Sequence, residues 1–405
     1  MTLQKVCFGY SKDGAQGVLF WYIFVPSVMP WKSNLNTEIR GTVSVAPLLL
    51  HVFPTFDPGG AQTRFVTLAN HFGEKLRHVV VAMDGRFGSA AMVNAAVHLE
   101  CSALNVRKNT LLGNLGMFRN VLRALRPDLL ITHNWGSIEW AAAKPGTGVR
   151  HIHIEDGFGP DEAHGQHWRR VQARRLFLKR SAVVVPSHTL EALARETWRV
   201  PPKRLHFIPN GIDAKRFERP SDAKNAVPII GTVSALRREK NLPRLLHAFA
   251  LTVRTMPCHL LIIGDGPEHN GLVALTREMG VAEHVTMAGH MDDPSRIYGK
   301  FDVFALASDT EQMPYTVLEA MAARCPVAAT DVGDIAQMVA AENQPFIVEK
   351  SSEALSAALI SLLRDGARRA EIGEANLRKV RQDYTQDAMF RAFAEIYALP
   401  GLDWI

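Results

Sequence analysis

The feature that most constrains the fold is a pattern that runs twice along the chain. From residue 47 onward, apolar stretches of about four to eight residues alternate with longer segments of helical period. Leu48–Phe53, His78–Met83, Leu129–Thr132, Arg150–Ile154 and Ala182–Val185 read as strands, with helices predicted over Ala61–Leu76, Leu115–Leu125 and Leu190–Trp198. The series then restarts, with strands predicted over Pro228–Val233, His259–Ile263, Val285–Met287, Val303–Leu306 and Val327–Ala329. Helices are predicted over Leu242–Thr255, Leu272–Met279, Thr316–Ala323 and Ala354–Leu363. Short strands that are apolar throughout have both faces covered, which means parallel sheets flanked by helices. The expected fold class is therefore α/β, with two Rossmann-like doubly wound parallel-sheet domains. The polar, aperiodic stretch Phe217–Ala226 reads as the linker between them. Ligands of such sheets bind beyond the carboxyl ends of the strands, so two facing domains predict a site in the cleft between them.

Composition narrows the field further. With 47% hydrophobic and 21% charged residues, the 405-residue chain is neither disordered nor fibrous. The excess of 46 Lys and Arg over 40 Asp and Glu suits anionic partners without requiring them. No reader motif or aromatic-interleaved basic surface points to nucleic acid, which is not expected as a partner. Cys7, Cys101, Cys258 and Cys325 stand singly, so a disulfide framework or zinc site is not expected and a cytoplasmic location is. The apolar run Val18–Val25, closed by Pro26 and Pro30, is too short for a bilayer, which takes about 20 residues. Residues 1–45 read as an extension or a mis-assigned start, with the first domain over 46–217.

Four segments carry candidate chemistry. Asp57-Pro58-Gly59-Gly60-Ala61 follows the first strand and opens a helix, where Gly59 and Gly60 let a ligand approach free N–H groups; a plain turn is the competing reading. Gly264-Asp265-Gly266-Pro267 follows another strand but lacks the third glycine and distal acid of a dinucleotide fingerprint, and no P-loop occurs. Arg237, Arg238 and Lys240 leave a strand beside a helix start, where cations suit a diphosphate; a solvated charged loop is the alternative. The run Ala307–Gly333 places Glu311 in a loop and Glu319 in the next helix, so both carboxylates can accept hydroxyl hydrogen bonds from vicinal diols. N–H groups at that helix start, around Thr316 and Val317, are placed for phosphate.

Over roughly residues 47–398 the chain resembles a family-4, GT-B-fold, retaining glycosyltransferase of the bacterial cell-envelope and exopolysaccharide type. The likeness rests on Glu311-x7-Glu319, Gly264-Asp-Gly-Pro267, Ile208-Pro-Asn210-Gly211-Ile-Asp213 with Phe217, Lys240-Asn241-Leu, and Gly59-Gly60. It implies an acceptor-side domain over 46–217, a nucleotide-sugar domain over 218–382 and a helix within 383–405 that crosses back. By this resemblance Glu311 bonds the donor sugar, Glu319 the ribose, and Lys240 the diphosphate. Gly59 and Gly60 would meet the phosphates or the acceptor, and Asn210 and Gly211 the interdomain edge. Ala235 stands where the family has Arg, with Arg237 or Arg238 as replacements; Arg324 stands where it has Gly; Asp156 stands at the usual His. His153, Glu155 or Asp156 could meet the sugar or acceptor, and for His153 a buried structural role is equally open.

The implied reaction transfers a sugar from a nucleoside-diphosphate donor, a co-substrate rather than a cofactor, to a glycan or lipid-linked acceptor with retention. No Asp-x-Asp pair occurs, so no metal is expected. A catalytically silent sugar-binding protein, or a GT-B epimerase or phosphorylase, is the alternative. The segment Gln166–Arg180 carries six Lys and Arg and no acid, with Trp168, Val171 and Leu178 at helical spacing. It reads either as a helix packed on its sheet or as a peripheral contact with the anionic inner face of the membrane.

Overall fold

The computed structural model describes residues 46–402 except 105, 107–110, 159–161, 163–164 and 219–224. The expectation for residues 1–45, and most of the stretch read as a linker, lie outside the described residues. Strands β1 (Leu48–Phe53), β2 (Arg77–Ala82), β3 (His98–Ala103), β4 (Leu129–His133), β5 (Arg150–Ile154), β6 (Ala182–Val185) and β7 (Leu205–Phe207) form a parallel sheet ordered β3-β2-β1-β4-β5-β6-β7. Strands β8 (Ile229–Val233), β9 (His259–Ile263), β10 (Val285–Met287), β11 (Val303–Leu306), β12 (Val327–Thr330) and β13 (Ile347–Val348) form a second, ordered β10-β9-β8-β11-β12-β13. The two parallel α/β lobes match the expected fold class.

The central strands Leu129–His133 and Val303–Leu306 are buried at every position, because helices cover both faces. The helix Leu242–Thr255 shows how sequence sets this. Asn241 caps it by accepting the Arg244 N–H at 3.2 Å, and Pro243 sits in the first turn. Leu242, Leu245, Leu246 and Phe249 recur at helical spacing and pack on Ile230, Leu260 and Ile262 of the second sheet.

The last helix, Gln386–Tyr397, returns to the first lobe. It buries Met389, Phe390, Phe393 and Tyr397 against Leu49, Ile131, Ile152 and Ile154. The crossing needs Gly211, since a Cβ there would stand 2.5 Å from the Thr385 carbonyl oxygen. Each sheet has a point where successive crossovers diverge: between β1 and β4 in the first lobe and between β8 and β11 in the second. Loops leaving those strands frame the crevice where ligands of such sheets bind.

Candidate active site

In the second lobe, the loops after β8 and β11 are joined side chain to side chain. Lys240 Nζ donates to Glu311 Oε1 at 2.6 Å, and Ser308 Oγ donates to the same oxygen at 2.8 Å. Asn241 and Arg244 hold Asp309 at 3.1 and 2.7 Å, which fixes the β11 loop against the β8 loop. The Lys240 side chain remains 25% exposed and that of Glu311 9%, so the pair lies at the wall of the crevice rather than in the core.

The helix Tyr315–Ala322 begins after Pro314 with no side-chain cap and no acid in its first turn. Its first N–H groups, at Tyr315 and Thr316, have no carbonyl a turn earlier to bond, whereas Val317 N donates to Pro314 O at 3.2 Å. One turn further, half-buried Glu319 accepts a hydrogen bond from the Tyr298 hydroxyl. Burial pushes the Glu319 carboxyl above its ordinary value, and the Tyr298 bond and nearby Arg216 oppose that rise.

The first lobe faces this with the loops after β1, β4 and β5. Gly59 and Gly60 open the helix Gly60–Phe72 in solvent, again without a side-chain cap or an acid in the first turn, and a Cβ at Gly60 would meet nothing within 4 Å. Asn134 Oδ1 accepts the Asp156 N–H at 2.7 Å, and the Asp156 carboxylate pairs with Arg64. The lobes meet beside these loops. Ser187 Oγ donates to Gln312 Oε1 at 3.0 Å, and Asp334 accepts from His188 N, Thr189 N and Thr189 Oγ1 at 2.5, 3.0 and 2.7 Å. Asn210 Nδ2 donates to Met313 O at 2.8 Å, tying the first lobe to the residue two beyond Glu311.

Residues 58–216 match the model described as Glycosyltransferase Family 4, and residues 213–379 match Glycosyl transferases group 1. The two matches overlap at residues 213–216. The chain belongs to the family-4 glycosyltransferases. It is 24% identical over 224 residues to N-acetyl-alpha-D-glucosaminyl L-malate synthase of Bacillus anthracis, covering 53% of this chain and 58% of that one, so the match spans little more than half of that relative. It is 26% identical over 406 aligned positions to D-inositol 3-phosphate glycosyltransferase of Stackebrandtia nassauensis, covering 85% and 90%. Among solved structures, Anabaena Alr3699/HepE in complex with UDP superimposes with a TM-score of 0.74 at 17% identity, covering 86% of this chain and 99% of that one, a likeness of GT-B fold.

In this chain several residues singled out from sequence act through the loops they support. Gly264 lies at φ +135, where a Cβ would stand 1.8 Å from Ser234 O; Gly266 lies at φ +159, 2.5 Å from Leu236 O. Their N–H groups are taken by Gly289 O and Asp265 Oδ1 at 2.8 and 2.7 Å. Both glycines therefore brace the Ser234–Leu236 loop that leads to Lys240, and neither offers a free N–H to a phosphate. Gly211 likewise serves the crossing helix, its N–H pointing at Met389 Sδ, 3.3 Å away. Arg237 and Arg238 are exposed and make no side-chain hydrogen bond among the described residues. Arg324 takes a left-handed φ of +57, the conformation a glycine would adopt freely, and Glu374 holds its guanidinium at 2.6 Å.

His153 is fully buried, its Nδ1 2.8 Å from Thr132 Oγ1 and its Nε2 3.4 Å from Glu155 Oε2. Glu155 is buried against Arg174, whose Nε lies 3.2 Å from Oε2, and Arg174 also meets Glu162 at 3.3 Å. Of His153, Glu155 and Asp156, only Asp156 keeps some exposure, 13% of its side chain against none for the others. Geometry thus gives His153 and Glu155 a structural place, while the partly exposed Asp156 pairs with Arg64. Sequence reasoning did not single out Tyr298, Arg64, Gln312 or Asp334. Each reaches its partner across 21 to 146 residues, and no motif spacing marks such a pair.

On the helix Trp168–Phe177, Val171 and Leu178 at its end face inward, whereas Trp168 turns outward. The three therefore do not form one apolar stripe, and Arg174 is withdrawn from the basic face. No helix among the described residues is long and apolar enough to cross a membrane.

Proposed function

We propose that this glycosyltransferase binds a nucleoside-diphosphate sugar in the crevice between its lobes and transfers the sugar to a hydroxyl with retention and without a metal, in cell-surface glycan synthesis. The observation that carries the reading is the meeting of Lys240 and Glu311 at the switch point of the second sheet, beside the uncapped start of the helix Tyr315–Ala322. A diphosphate suits Lys240 and the N–H groups of Tyr315 and Thr316, with Arg237 and Arg238 free to reach it. A sugar hydroxyl suits Glu311, and the ribose diol suits Glu319. Gly59 and Gly60 offer the facing helix start to the same phosphates or to the acceptor.

In the proposed step, the bond from the anomeric carbon to the β-phosphate oxygen breaks while the acceptor oxygen bonds that carbon from the same face. The acceptor proton passes to the leaving phosphate oxygen, so no separate base is needed. Charge building on the leaving group is met by fixed donors, each worth roughly 3–4 kcal/mol in comparable oxyanion sites. The test is incubation with a panel of UDP-, GDP-, ADP- and dTDP-sugars with EDTA and candidate glycan acceptors, reading nucleoside diphosphate release and product anomer by NMR. A retained anomer formed in EDTA supports the reading. An inverted anomer or a strict metal requirement overturns the mechanism, and donor binding without transfer to any acceptor favours a silent sugar-binding protein.

A lipid-linked acceptor is a second reading, of where the acceptor arrives. Trp168 and Leu176 are each 70% exposed on one helix face with Gln172 between them, and Arg169, Lys179 and Arg180 are exposed around them. An apolar pair ringed by cations suits anionic headgroups. Co-sedimentation with phosphatidylglycerol but not phosphatidylcholine vesicles, lost in Trp168→Ala/Leu176→Ala, supports it. Failure to bind anionic vesicles at low salt overturns it.

A further inference from the structure

The apolar cluster beneath the helix Tyr315–Ala322 holds one polar group that its packing does not require. Tyr298 is wholly buried, with its ring edge-on to Phe217 and Phe301 at 5.8 and 5.5 Å and tilted to Phe304 at 5.9 Å. Met313, Val317, Leu318 and Met321 belong to the same cluster. A phenylalanine would fill that space without a hydroxyl, and a hydroxyl taken out of water is costly unless it is bonded. The Tyr298 hydroxyl donates to Glu319 Oε2, so a core side chain is satisfied by a carboxylate that burial itself disfavours. Two apolar groups of matching shape would serve stability as well.

What the pair does fix is direction. The three phenylalanine rings hold the Tyr298 ring, and Cys325 Sγ donates to the Tyr298 carbonyl at 3.3 Å. Burial keeps the phenol protonated far above its ordinary range, so it donates to Glu319 at neutral pH. The other carboxylate oxygen, Oε1, accepts no hydrogen bond among the described residues and reaches solvent. Besides Tyr298, the charged and titratable groups that act on this carboxylate are Arg216 and Asp293, which pair with each other at 2.7 Å in solvent, and Tyr315 one turn earlier on the helix. We infer that Tyr298 is a positioning residue for Glu319, pinning one carboxylate oxygen so that the other is presented in a single direction to the ribose hydroxyls of the bound nucleotide. Tyr298 touches no ligand itself, and the inference rests on the nucleoside-diphosphate-sugar reading.

The experiment is calorimetric titration of the full-length protein with UDP, GDP and ADP and with their 2′-deoxy counterparts. It compares the wild type, Tyr298→Phe, Glu319→Gln and the double variant. The wild type is expected to bind one ribonucleotide about 10-fold or more tightly than its deoxy form. Tyr298→Phe keeps the ring and cuts that ribose advantage to within a few fold, while the deoxy form binds as before. In the Glu319→Gln background the same substitution changes affinity by no more than about two-fold, because the carboxylate it positions is gone. The pH profile carries a sign: Tyr298 bonds the charged carboxylate and so lowers the pH at which Glu319 takes up a proton. In Tyr298→Phe the ribose advantage therefore fades at a higher pH than in the wild type, and in Glu319→Gln it is flat. A Tyr298→Phe variant that keeps the wild-type advantage and profile, or that weakens ribo and deoxy forms alike in both backgrounds, overturns the inference alone, since Tyr298 then only fills the core. A wild type that binds no nucleoside diphosphate, or whose ribose advantage survives Glu319→Gln undiminished, overturns both it and the reading beneath it.

Discussion

Glu311→Gln separates the sugar end of the site from its phosphate end. Lys240 Nζ sits 2.6 Å from Glu311 Oε1, and with a quarter of the lysine side chain exposed that pair contributes at most about 1 kcal/mol. Removing the carboxylate charge therefore changes affinity for the bare nucleoside diphosphate by no more than about five-fold, and in the tighter direction, because Lys240 no longer has a competing anion. The sugar donor loses a hydrogen bond to a charged acceptor, about 1.5–3 kcal/mol, or roughly 10- to 150-fold. Calorimetry of the two ligands side by side reads this directly: the donor's advantage over its nucleoside diphosphate shrinks by an order of magnitude or more. Equal loss for both ligands would place Glu311 at the phosphates or in the fold, and no loss for either would remove it from the site.

Three further outcomes follow from buried charge. Burial holds the His78 imidazole down at about 4 against 6.5 in an unfolded chain, and it lowers His51, His133 and His151 in the same direction. The unfolded state takes up those protons first as pH falls, so stability drops from near pH 6.5 towards pH 4, by about 3 kcal/mol for His78 alone; a urea midpoint that is flat between pH 7 and 5 would refute this. Arg174→Met strands the buried Glu155 without its arginine, leaves Glu162 with Arg170 alone, and is expected to cost about 3–5 kcal/mol in urea unfolding, against less than 1 if the cluster is unimportant. Asp334→Ala removes the carboxylate that bonds the start of the helix His188–Glu196, costing about 1–3 kcal/mol and raising amide exchange there; unchanged exchange would mean the lobes are held together elsewhere.

Both sheets were legible where strands are buried on two faces, because continuous apolarity is then obligatory; β1, β5, β6, β9 and β11 begin and end where the sequence predicts, as does the short edge strand β10. The strands that escaped are at edges. β3, His-Leu-Glu-Cys-Ser-Ala, is largely exposed and carries Glu100, while β7 and β13 have three and two residues, too few for any period. The helix Gly366–Asp383 escaped because charged residues mask a narrow buried stripe of Ile372, Ala375, Leu377 and Val380. In the site, motifs marked Lys240 and Glu311, which the fold brings together because each sits just beyond a central strand. They also marked Gly264 and Gly266, whose N–H groups the fold uses internally, because a strand-Gly-x-Gly turn looks alike whether its glycines admit a ligand or a neighbouring loop. The Arg64–Asp156 pair was invisible because it depends on β1 and β5 flanking β4, which only the topology reveals.

The most direct measurement is titration of the wild-type protein with the four families of nucleoside-diphosphate sugars, repeated on Lys240→Met and Glu319→Gln. One donor should bind the wild type, with Lys240→Met weakening donor and bare diphosphate alike by about 10- to 100-fold and Glu319→Gln weakening ligands that carry a ribose. Binding of no donor, or of a donor at undiminished affinity to both variants, would contradict a sugar nucleotide held between these lobes.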